Sequence, residues 1–288
     1  RKILDKYFPL FLILLLAHSG AVANLKPVVL DSPYGYLVQI QDGDQVIFSP
    51  FDNNRGLTVV YPSGVSGIKF KNKSEFNQTI TLSEGMTNGL DISESYKTIT
   101  PGLIERTITV KASSDQRYYL DFGWKTAQPG DYYSFLGEEK TSVNYTPGCP
   151  GPEFGNPEGW QTFPFLGIRS GDKLFGVIGD TPGMWENRSF MKFDKENNRL
   201  SLLNGDDSPR RKVTFPFSAD ATSVYRTTFD GWQHIEQGET QTWKTWIFSS
   251  DVKCLYDVQL AAHLALANAK GFNQSGIEIG RASCRERV

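Results

Sequence analysis

Apolar and polar residues alternate with a period of two from about Val28 to Phe248, and this feature constrains the fold of the 288-residue chain more than any other. Successive side chains of a β-strand point to opposite faces, so the pattern is typical of strands with one buried face. The longest run places Tyr118, Leu120, Phe122 and Trp124 on one face and Tyr119, Asp121 and Gly123 on the other. The sequence therefore predicts half-buried antiparallel strands.

Turn residues fall between these runs, where hairpins need them. The clearest turns are Asp42-Gly43-Asp44, Ser170-Gly171-Asp172 and Glu196-Asn197-Asn198. Pro164 and Pro216 interrupt two runs, which favours a sheet edge or a bulge at each. With roughly a dozen strands, we predict an all-β fold: a large antiparallel two-sheet supersandwich.

The periodicity changes near the end of the chain. From Tyr256 the sequence becomes rich in Ala and Leu, with Asp257 as a predicted N-cap, Lys270 in the last turn and Gly271 as the C′ residue. This pattern predicts a helix. We expect a β domain over residues 24–250, followed by a linker and the first helix of a further helical domain over residues 251–278.

Both ends of the chain have unusual sequences. Residues 1–23 combine a basic leader, the apolar run Phe8–Ala17 and a small-x-small motif at Ala21-Val22-Ala23, which is typical of a signal peptide. We therefore expect a secreted or periplasmic protein with no membrane span after signal cleavage. Residues 279–288 resemble one reading frame of a sequencing adapter, and we expect this tail to be non-native and the chain to be a fragment.

Charge and cysteine content narrow the possible partners. The formal net charge is −2 and the Lys and Arg residues are scattered, so we expect no nucleic-acid partner. No C-x-x-C motif occurs, and only His234 and His263 follow the signal, so we predict no metal site and no cofactor. Cys149 and Cys254 either pair or remain reduced, because the sequence does not give their separation.

Two segments carry the candidate substrate-binding residues. The Pro- and Gly-rich segment Pro147–Trp160 contains Phe154 and Trp160, and it either shapes one wall of a substrate cleft or folds back over the sheet. In the second segment, Trp185 offers a flat face for a sugar ring, while Glu186 and Arg188 can bond its hydroxyls. The alternative for Trp185 is a cap on the sandwich core. No catalytic residue is identified.

The order of a β-sandwich followed by a helix, with the sequence PFLGIRSGDKLFGVIGD over Pro164–Asp180, resembles one family. It is similar to the N-terminal, galactose mutarotase-like supersandwich of bacterial six-hairpin glycoside hydrolases, over about Asn24 to Asn273. The resemblance implies that an (α/α)6 barrel follows and that the acid and base carboxylates lie on it. An epimerase is a poor alternative, because the β region holds only His234 for proton transfer.

The expected function follows from this resemblance. We expect an accessory, substrate-cleft-shaping domain of an exported glycoside hydrolase acting on a poly- or oligosaccharide. Its partners would be the carbohydrate substrate and the missing helical domain of the same chain. The alternative is a non-catalytic glycan-binding or surface-interaction β-sandwich protein.

Overall fold

A computed structural model describes residues 24–33, 35–51, 57–134, 137–140, 142–147, 160–161, 165–180, 190–205, 210–214, 225–229 and 232–271. Over these ranges the chain forms two large sheets, a separate two-stranded ladder and one helix. All strand pairs in the two large sheets are antiparallel except one. The predicted all-β sandwich followed by a helix is confirmed.

The strands are short, so they outnumber the dozen that the sequence suggested. In chain order they are β1 (Leu25–Ser32), β2 (Gly35–Asp42), β3 (Gln45–Ser49), β4 (Thr58–Tyr61), β5 (Gly64–Gly67), β6 (Asn72–Phe76), β7 (Thr79–Thr87), β8 (Leu90–Thr100), β9 (Leu103–Ala112), β10 (Gln116–Asp121), β11 (Trp124–Thr126), β12 (Asp131–Ser134), β13 (Gly137–Glu139), β14 (Val143–Pro147), β15 (Trp160–Gln161), β16 (Phe165–Ser170), β17 (Lys173–Gly179), β18 (Phe190–Asp194), β19 (Arg199–Leu203), β20 (Arg210–Thr214), β21 (Tyr225–Phe229), β22 (Gln233–Ile235) and β23 (Thr240–Asp251). The helix is α1 (Leu255–Ala269).

The strands divide between a twelve-stranded and a nine-stranded sheet. The nine-stranded sheet has the order β13-β12-β16-β17-β23-β9-β8-β7-β6. The twelve-stranded sheet contains β1 to β5, β10, β11, β14, β15, β18, β19 and β22, and β20 pairs only with β21. The main core lies between the two large sheets and takes apolar side chains from both.

The alternation of apolar and polar residues in the sequence corresponds to an alternation of buried and more exposed side chains in the structure. Tyr118, Leu120, Phe122 and Trp124 are each at most 5% exposed, as their spacing predicts. The three predicted turns are confirmed between β2 and β3, β16 and β17, and β18 and β19. Two of them place a glycine, Gly43 or Gly171, at a positive φ of 61°, which a side chain would disfavour.

Not every alternating run joins a ladder. Ile68 and Phe70 alternate with exposed Lys69 and Lys71, a pattern that is typical of a strand, but Phe70 makes only an isolated bridge to Tyr36. Their side chains are buried in the core all the same. Burial on one side, rather than continuous pairing, accounts for this pattern.

The glycines of the β16–β17 hairpin allow close packing of aromatic rings. Gly167 pairs with Gly176, and a Cβ at Gly176 would lie 2.4 Å from the ring of Phe248 and 2.7 Å from that of Phe165. Without these side chains the two rings pack with centroids 5.8 Å apart. The glycines therefore let Phe165 of β16 and Phe248 of β23 pack together on the face that α1 covers.

Strand β23 is buried on both faces over Thr245–Phe248, where its sequence has apolar residues at adjacent positions. Ile247 belongs to the core between the sheets, and Trp243 packs against that core. Trp246 and Phe248 point to the other face, where they meet Val258, Ala261, Ala262 and Ala265 of α1 in a second apolar cluster. The small side chains of α1 let the helix lie close to the sheet.

The start of α1 differs from the prediction. Cys254, not Asp257, is the N-cap, and Asp257 occupies position N3. Its carboxylate accepts hydrogen bonds from the backbone N–H groups of Lys253 (2.8 Å) and Cys254 (3.3 Å), because an acidic N3 residue reaches back in a capping box. Gly271 has a φ of 74°, which confirms the C′ residue. No helix within the described ranges is long and apolar enough to span a membrane.

Candidate functional site

The residues predicted from the sequence fall mostly outside the described ranges. Phe154, Trp185, Glu186, Arg188 and Cys149 lie there, as do Pro164 and Pro216, so their roles stay predictions. Trp160 lies in β15, where its backbone pairs in parallel with Thr146 of β14. Glu186 and Arg188 precede β18 by four and two residues, which directs attention to the surface around that strand.

The face of the twelve-stranded sheet that points away from the core carries a group of polar and aromatic side chains. The polar half of the β10 alternation supplies Arg117, Tyr119 and Asp121, whose neighbours Tyr118 and Leu120 point inward. Arg199 and Ser201 of β19 and Trp232, just before β22, complete the group. We call these six residues the outer-face cluster.

The strand pairing brings the cluster together. Strand β19 runs beside β10 and β11 in one register, with Asp121 opposite Leu203 and Trp124 opposite Leu200. On the other side the neighbour changes, because β10 pairs with β4 and β11 pairs with β3. The sheet therefore forks between β3 and β4, next to Phe122 and Gly123, which join β10 to β11.

An ion pair lies over this fork. The Arg199 guanidinium contacts the Asp121 carboxylate, and it also lies 3.9 Å from the centroid of the Phe51 ring. The backbone N–H of Gly123 donates to Asp121 Oδ1 at 2.9 Å. A Cβ at Gly123 would lie 2.9 Å from both Arg199 Nε and Asp121 Oδ1, so the missing side chain makes room for the pair.

Aromatic rings border the ion pair. The rings of Tyr119 and Trp232 pack at 5.2 Å between centroids with an interplanar angle of 44°. The Arg117 guanidinium lies 5.9 Å from the Trp232 ring, within the range of a cation–π contact. Flat apolar rings beside hydrogen-bonding groups are a combination suited to a ligand with one apolar and several polar edges.

Two polar atoms at the centre of the cluster have no hydrogen-bond partner within the described part of the chain. They are the hydroxyl of Ser201, a residue only 1% exposed, and Nε of Arg199. A buried polar group without a partner costs about 1 to 3 kcal/mol, so such groups are normally satisfied. Ser201 also pairs across the sheet with Lys192 of β18, the strand that follows Glu186 and Arg188.

A second ion pair lies beneath the cluster, on the inner face of the sheet. Arg106 and Glu94, 1% and 2% exposed, come from β9 and β8 of the opposite sheet and contact each other through Nε and Oε1. The Tyr96 hydroxyl donates to Glu94 at 2.8 Å. Arg106 Nη1 crosses the core to the carbonyl of Phe122 at 3.0 Å.

Burial and neighbouring charges act together on the pKa values of this inner group. Burial alone would lower the pKa of Arg106, but the charges of Glu94, Tyr96 and Asp121 together with the bond to Glu94 outweigh it, and the pKa is raised. For Tyr96, burial raises the pKa well above its ordinary value, and the positive charge of Arg106 offsets only part of this effect. Arg106 therefore stays charged and Tyr96 neutral at ordinary pH.

Sequence reasoning missed the outer-face cluster. Tyr119, Asp121 and Gly123 were visible as the polar side of an alternating run, but that position alone is typical of solvated strand residues. Their convergence with Arg199 depends on pairing between segments about eighty residues apart. One feature of the sequence could have indicated the site, namely Gly123 between Asp121 and Trp124. A glycine inside a strand pattern often marks a break in the strand or a close approach of another group to the backbone.

The cluster offers hydrogen bonding rather than an evident reactive centre. Among the residues that the structure describes, no three His, Cys, Asp or Glu side chains lie close enough together to hold a metal ion. Asp121 is its one carboxylate, and a guanidinium engages it. The six residues of the cluster therefore offer groups for hydrogen bonding to a ligand, whereas glycosidic cleavage normally uses two carboxyl groups.

Comparison with known proteins gives structural likeness at low identity. No family model matches the chain, and no curated protein matches it. Its structure is similar to a human-microbiome protein assigned as a kojibiose phosphorylase, with a TM-score of 0.42, 9% identity and coverage of 87% of this chain and 29% of the other. It is also similar to a galactose mutarotase related enzyme from Lactobacillus acidophilus, with a TM-score of 0.36, 11% identity and coverage of 79% of this chain and 100% of the other.

A third similar structure is the heparan sulfate lyase of Pedobacter heparinus, with a TM-score of 0.39, 8% identity and coverage of 76% of this chain and 30% of the other. The chain thus spans about a third of the phosphorylase and of the lyase, and the whole of the mutarotase-related enzyme. At these scores and identities the likeness is one of broad β-sandwich architecture and does not identify an activity.

Proposed function

We propose that this chain is the carbohydrate-binding and substrate-cleft-shaping β-sandwich of an exported glycoside hydrolase that acts on a poly- or oligosaccharide. The observation that carries the proposal is the outer-face cluster, where an Asp121–Arg199 ion pair adjoins the packed rings of Tyr119 and Trp232. Sugars present hydroxyls at the ring edge and C–H groups on the ring face. Planar charged groups beside aromatic rings match both surfaces.

The buried polar atoms support a ligand at the same place. The Ser201 hydroxyl and Arg199 Nε lie at the centre of the cluster without partners in the described ranges. A saccharide hydroxyl both donates and accepts, so it can satisfy either atom. Trp185, Glu186 and Arg188 precede β18 in the sequence, and β18 pairs with β19 at Ser201. We propose that these three residues extend the same surface together with Phe154 and Trp160.

We place the catalytic carboxylates in a helical domain that follows the sandwich. The described part of the chain offers one supporting feature, which is the exposure of two large side chains in the first turn of α1. One side of α1 packs on the nine-stranded sheet, while Leu255 and Tyr256 on the helix are 47% and 38% exposed. Reading the coding sequence beyond residue 278 tests this placement, because an early stop or a further β module would favour a non-catalytic glycan-binding protein.

Affinity electrophoresis tests carbohydrate binding directly. The chain is run in native gels containing neutral or acidic polysaccharides such as xylan, laminarin, starch, alginate or polygalacturonate. We expect retardation by at least one of them, and a roughly tenfold or greater loss of affinity for Asp121→Asn, since hydrogen bonds to charged groups contribute about 1.5 to 3 kcal/mol. Gly123→Ala, which crowds the ion pair, should also weaken retardation.

The matched control is Asp44→Asn, because Asp44 also pairs with a cation, Lys26, but is fully exposed in a distant turn. It should leave retardation unchanged. Wild-type chain that no polysaccharide retards, or an Asp121→Asn variant that behaves like the control, would contradict the proposal. Export is tested separately by fusing residues 1–40 to an alkaline phosphatase that is active only outside the cytoplasm.

A further inference from the structure

Arg106 joins the two sheets by a polar contact through the core. It lies on β9 of the nine-stranded sheet, and its Nη1 reaches the Phe122 carbonyl of the twelve-stranded sheet at 3.0 Å. A buried guanidinium is costly to desolvate, and a buried ion pair is often no more stabilising than apolar side chains of the same volume. A contribution to stability therefore does not by itself explain why Glu94 and Arg106 are buried in the core.

The contact falls at the break between β10 and β11. Strand β10 ends at Asp121 and β11 begins at Trp124, so Phe122 and Gly123 belong to neither strand. From β19, the carbonyl of Leu202 accepts the Phe122 N–H at 2.9 Å, and from the core Arg106 bonds the Phe122 carbonyl. The next N–H, that of Gly123, donates to the Asp121 carboxylate.

The guanidinium of Arg106 is itself held in one orientation. It lies 4.7 Å from the Trp124 ring centroid and 5.7 Å from that of Tyr96, while Glu94 engages its Nε. A guanidinium is a planar fork, so fixing Nε on Glu94 and the plane on two rings also fixes the direction of Nη1. A lysine would retain the charge but could not bridge Glu94 and the carbonyl in this geometry.

We infer that Arg106 is a positioning residue for saccharide binding: from the opposite sheet it fixes the Phe122–Gly123 break, and thereby the Asp121 carboxylate and its partner Arg199 on the outer face. The inference rests on the proposed function. It assigns a role at the site to a residue that is buried in the core. It predicts that Asp121 and Arg199 become less ordered when the bond from Arg106 to the Phe122 carbonyl is lost, even in a folded chain.

Two variants test the inference against a matched core variant. Arg106→Lys keeps the charge, and the double variant Glu94→Leu with Arg106→Met replaces the buried pair by apolar side chains. Ile108→Ala is the control, because Ile108 is 1% exposed, lies two residues along β9 on the same face and contacts the same core. Hydrogen exchange of backbone amides is measured together with polysaccharide retardation, on variants with wild-type circular dichroism.

We expect the Gly123 amide to exchange at least tenfold faster in both Arg106 variants, relative to amides of the β16–β17 hairpin, with saccharide affinity reduced at least fivefold. Ile108→Ala should change neither the relative exchange nor the affinity. Wild-type exchange and affinity in Arg106→Lys, or equal effects in the control, would overturn the inference. If the double variant does not fold, Arg106→Lys decides.

The failure of the proposed function is distinguishable from the failure of the inference. If the wild-type chain binds no polysaccharide, carbohydrate binding fails whatever the Arg106 variants do. In that case the exchange rate at Gly123 still decides whether Arg106 positions the break. If the wild-type chain binds and the variants bind equally well, only the positioning role of Arg106 is lost.

Discussion

Glu94 and Arg106 depend on each other, because either charge alone would be buried without its partner. We predict that Arg106→Met lowers the free energy of unfolding by about 3 to 5 kcal/mol, since it leaves the Glu94 carboxylate unpaired in the core. Adding Glu94→Leu should recover much of this loss. Urea denaturation of both single variants and the double variant measures the coupling, and additive losses would contradict it.

Two tyrosines should make the protein sensitive to alkaline pH. Burial raises the pKa of Tyr118, with a smaller opposing effect of its bond from Trp243, and burial raises the pKa of Tyr96 as well. A raised folded-state pKa contributes stability that is fully present below the unfolded value near 10 and is lost as pH rises above it. We predict a fall of about 1.4 kcal/mol per pH unit for each tyrosine above pH 10.

The check on this second prediction is denaturation at pH 9 to 11 together with tyrosinate absorbance. Tyr118→Phe loses the hydrogen bond to Gln241 but also one ionisable group, so its stability should be lower at pH 8 and decline less steeply above pH 10. An unchanged slope in this variant would show that Tyr118 is not one of the responsible groups.

Among the elements, α1 offers a direct test of its corrected start. Asp257 at N3 accepts two backbone hydrogen bonds and carries a negative charge in the first turn, where the helix dipole favours it. We predict that Asp257→Ala lowers the free energy of unfolding by about 1 kcal/mol. Asp251→Ala, at an exposed position in β23, is the control and should change the thermal midpoint little.

The elements also show which parts of the fold the sequence could predict. Alternation at Tyr118–Trp124 and the turns at Gly43 and Gly171 are local signals, and each appears in the structure. The two-sided burial of β23 is likewise local, because Trp246, Ile247 and Phe248 are apolar at adjacent positions. The N-cap of α1 was predicted three residues too late, at Asp257 instead of Cys254, because a capping residue at N3 and one at the N-cap have similar sequence signatures.

The candidate site was beyond such local reasoning. Asp121 and Arg199 each occupy an ordinary polar position on a strand, and only the register of β19 against β10 and β11 makes them neighbours. The fork that separates β3 from β4 has no signature of its own in the sequence. Long-range register decides it, and one amino-acid sequence by itself does not reveal that register.

The nine-stranded sheet is the middle layer of the described molecule, between the core and α1. Trp246 and Phe248 are at most 2% exposed because the helix covers them. We predict that truncation after Asp251 exposes this apolar surface and leads to binding of the dye ANS and to self-association. Truncation after Gly271, which keeps α1, should show neither effect relative to the full chain when dye binding and light scattering are measured. Similar behaviour of the two truncated chains would contradict the helix's role as a cover.

The fork between β3 and β4 has a consequence for how a chain of this kind can diversify. The two ends of the connection from β3 to β4 are fixed independently, since β3 pairs with β11 and β4 pairs with β10. The connection between β3 and β4 can therefore change in length or composition without shifting either ladder, provided that Leu57, which is buried in the main core, is kept. The connection begins beside Arg199, whose guanidinium lies over the Phe51 ring. A randomised library confined to this connection should yield altered ligand preference at little cost in folding yield, which makes it the natural place to engineer the molecule.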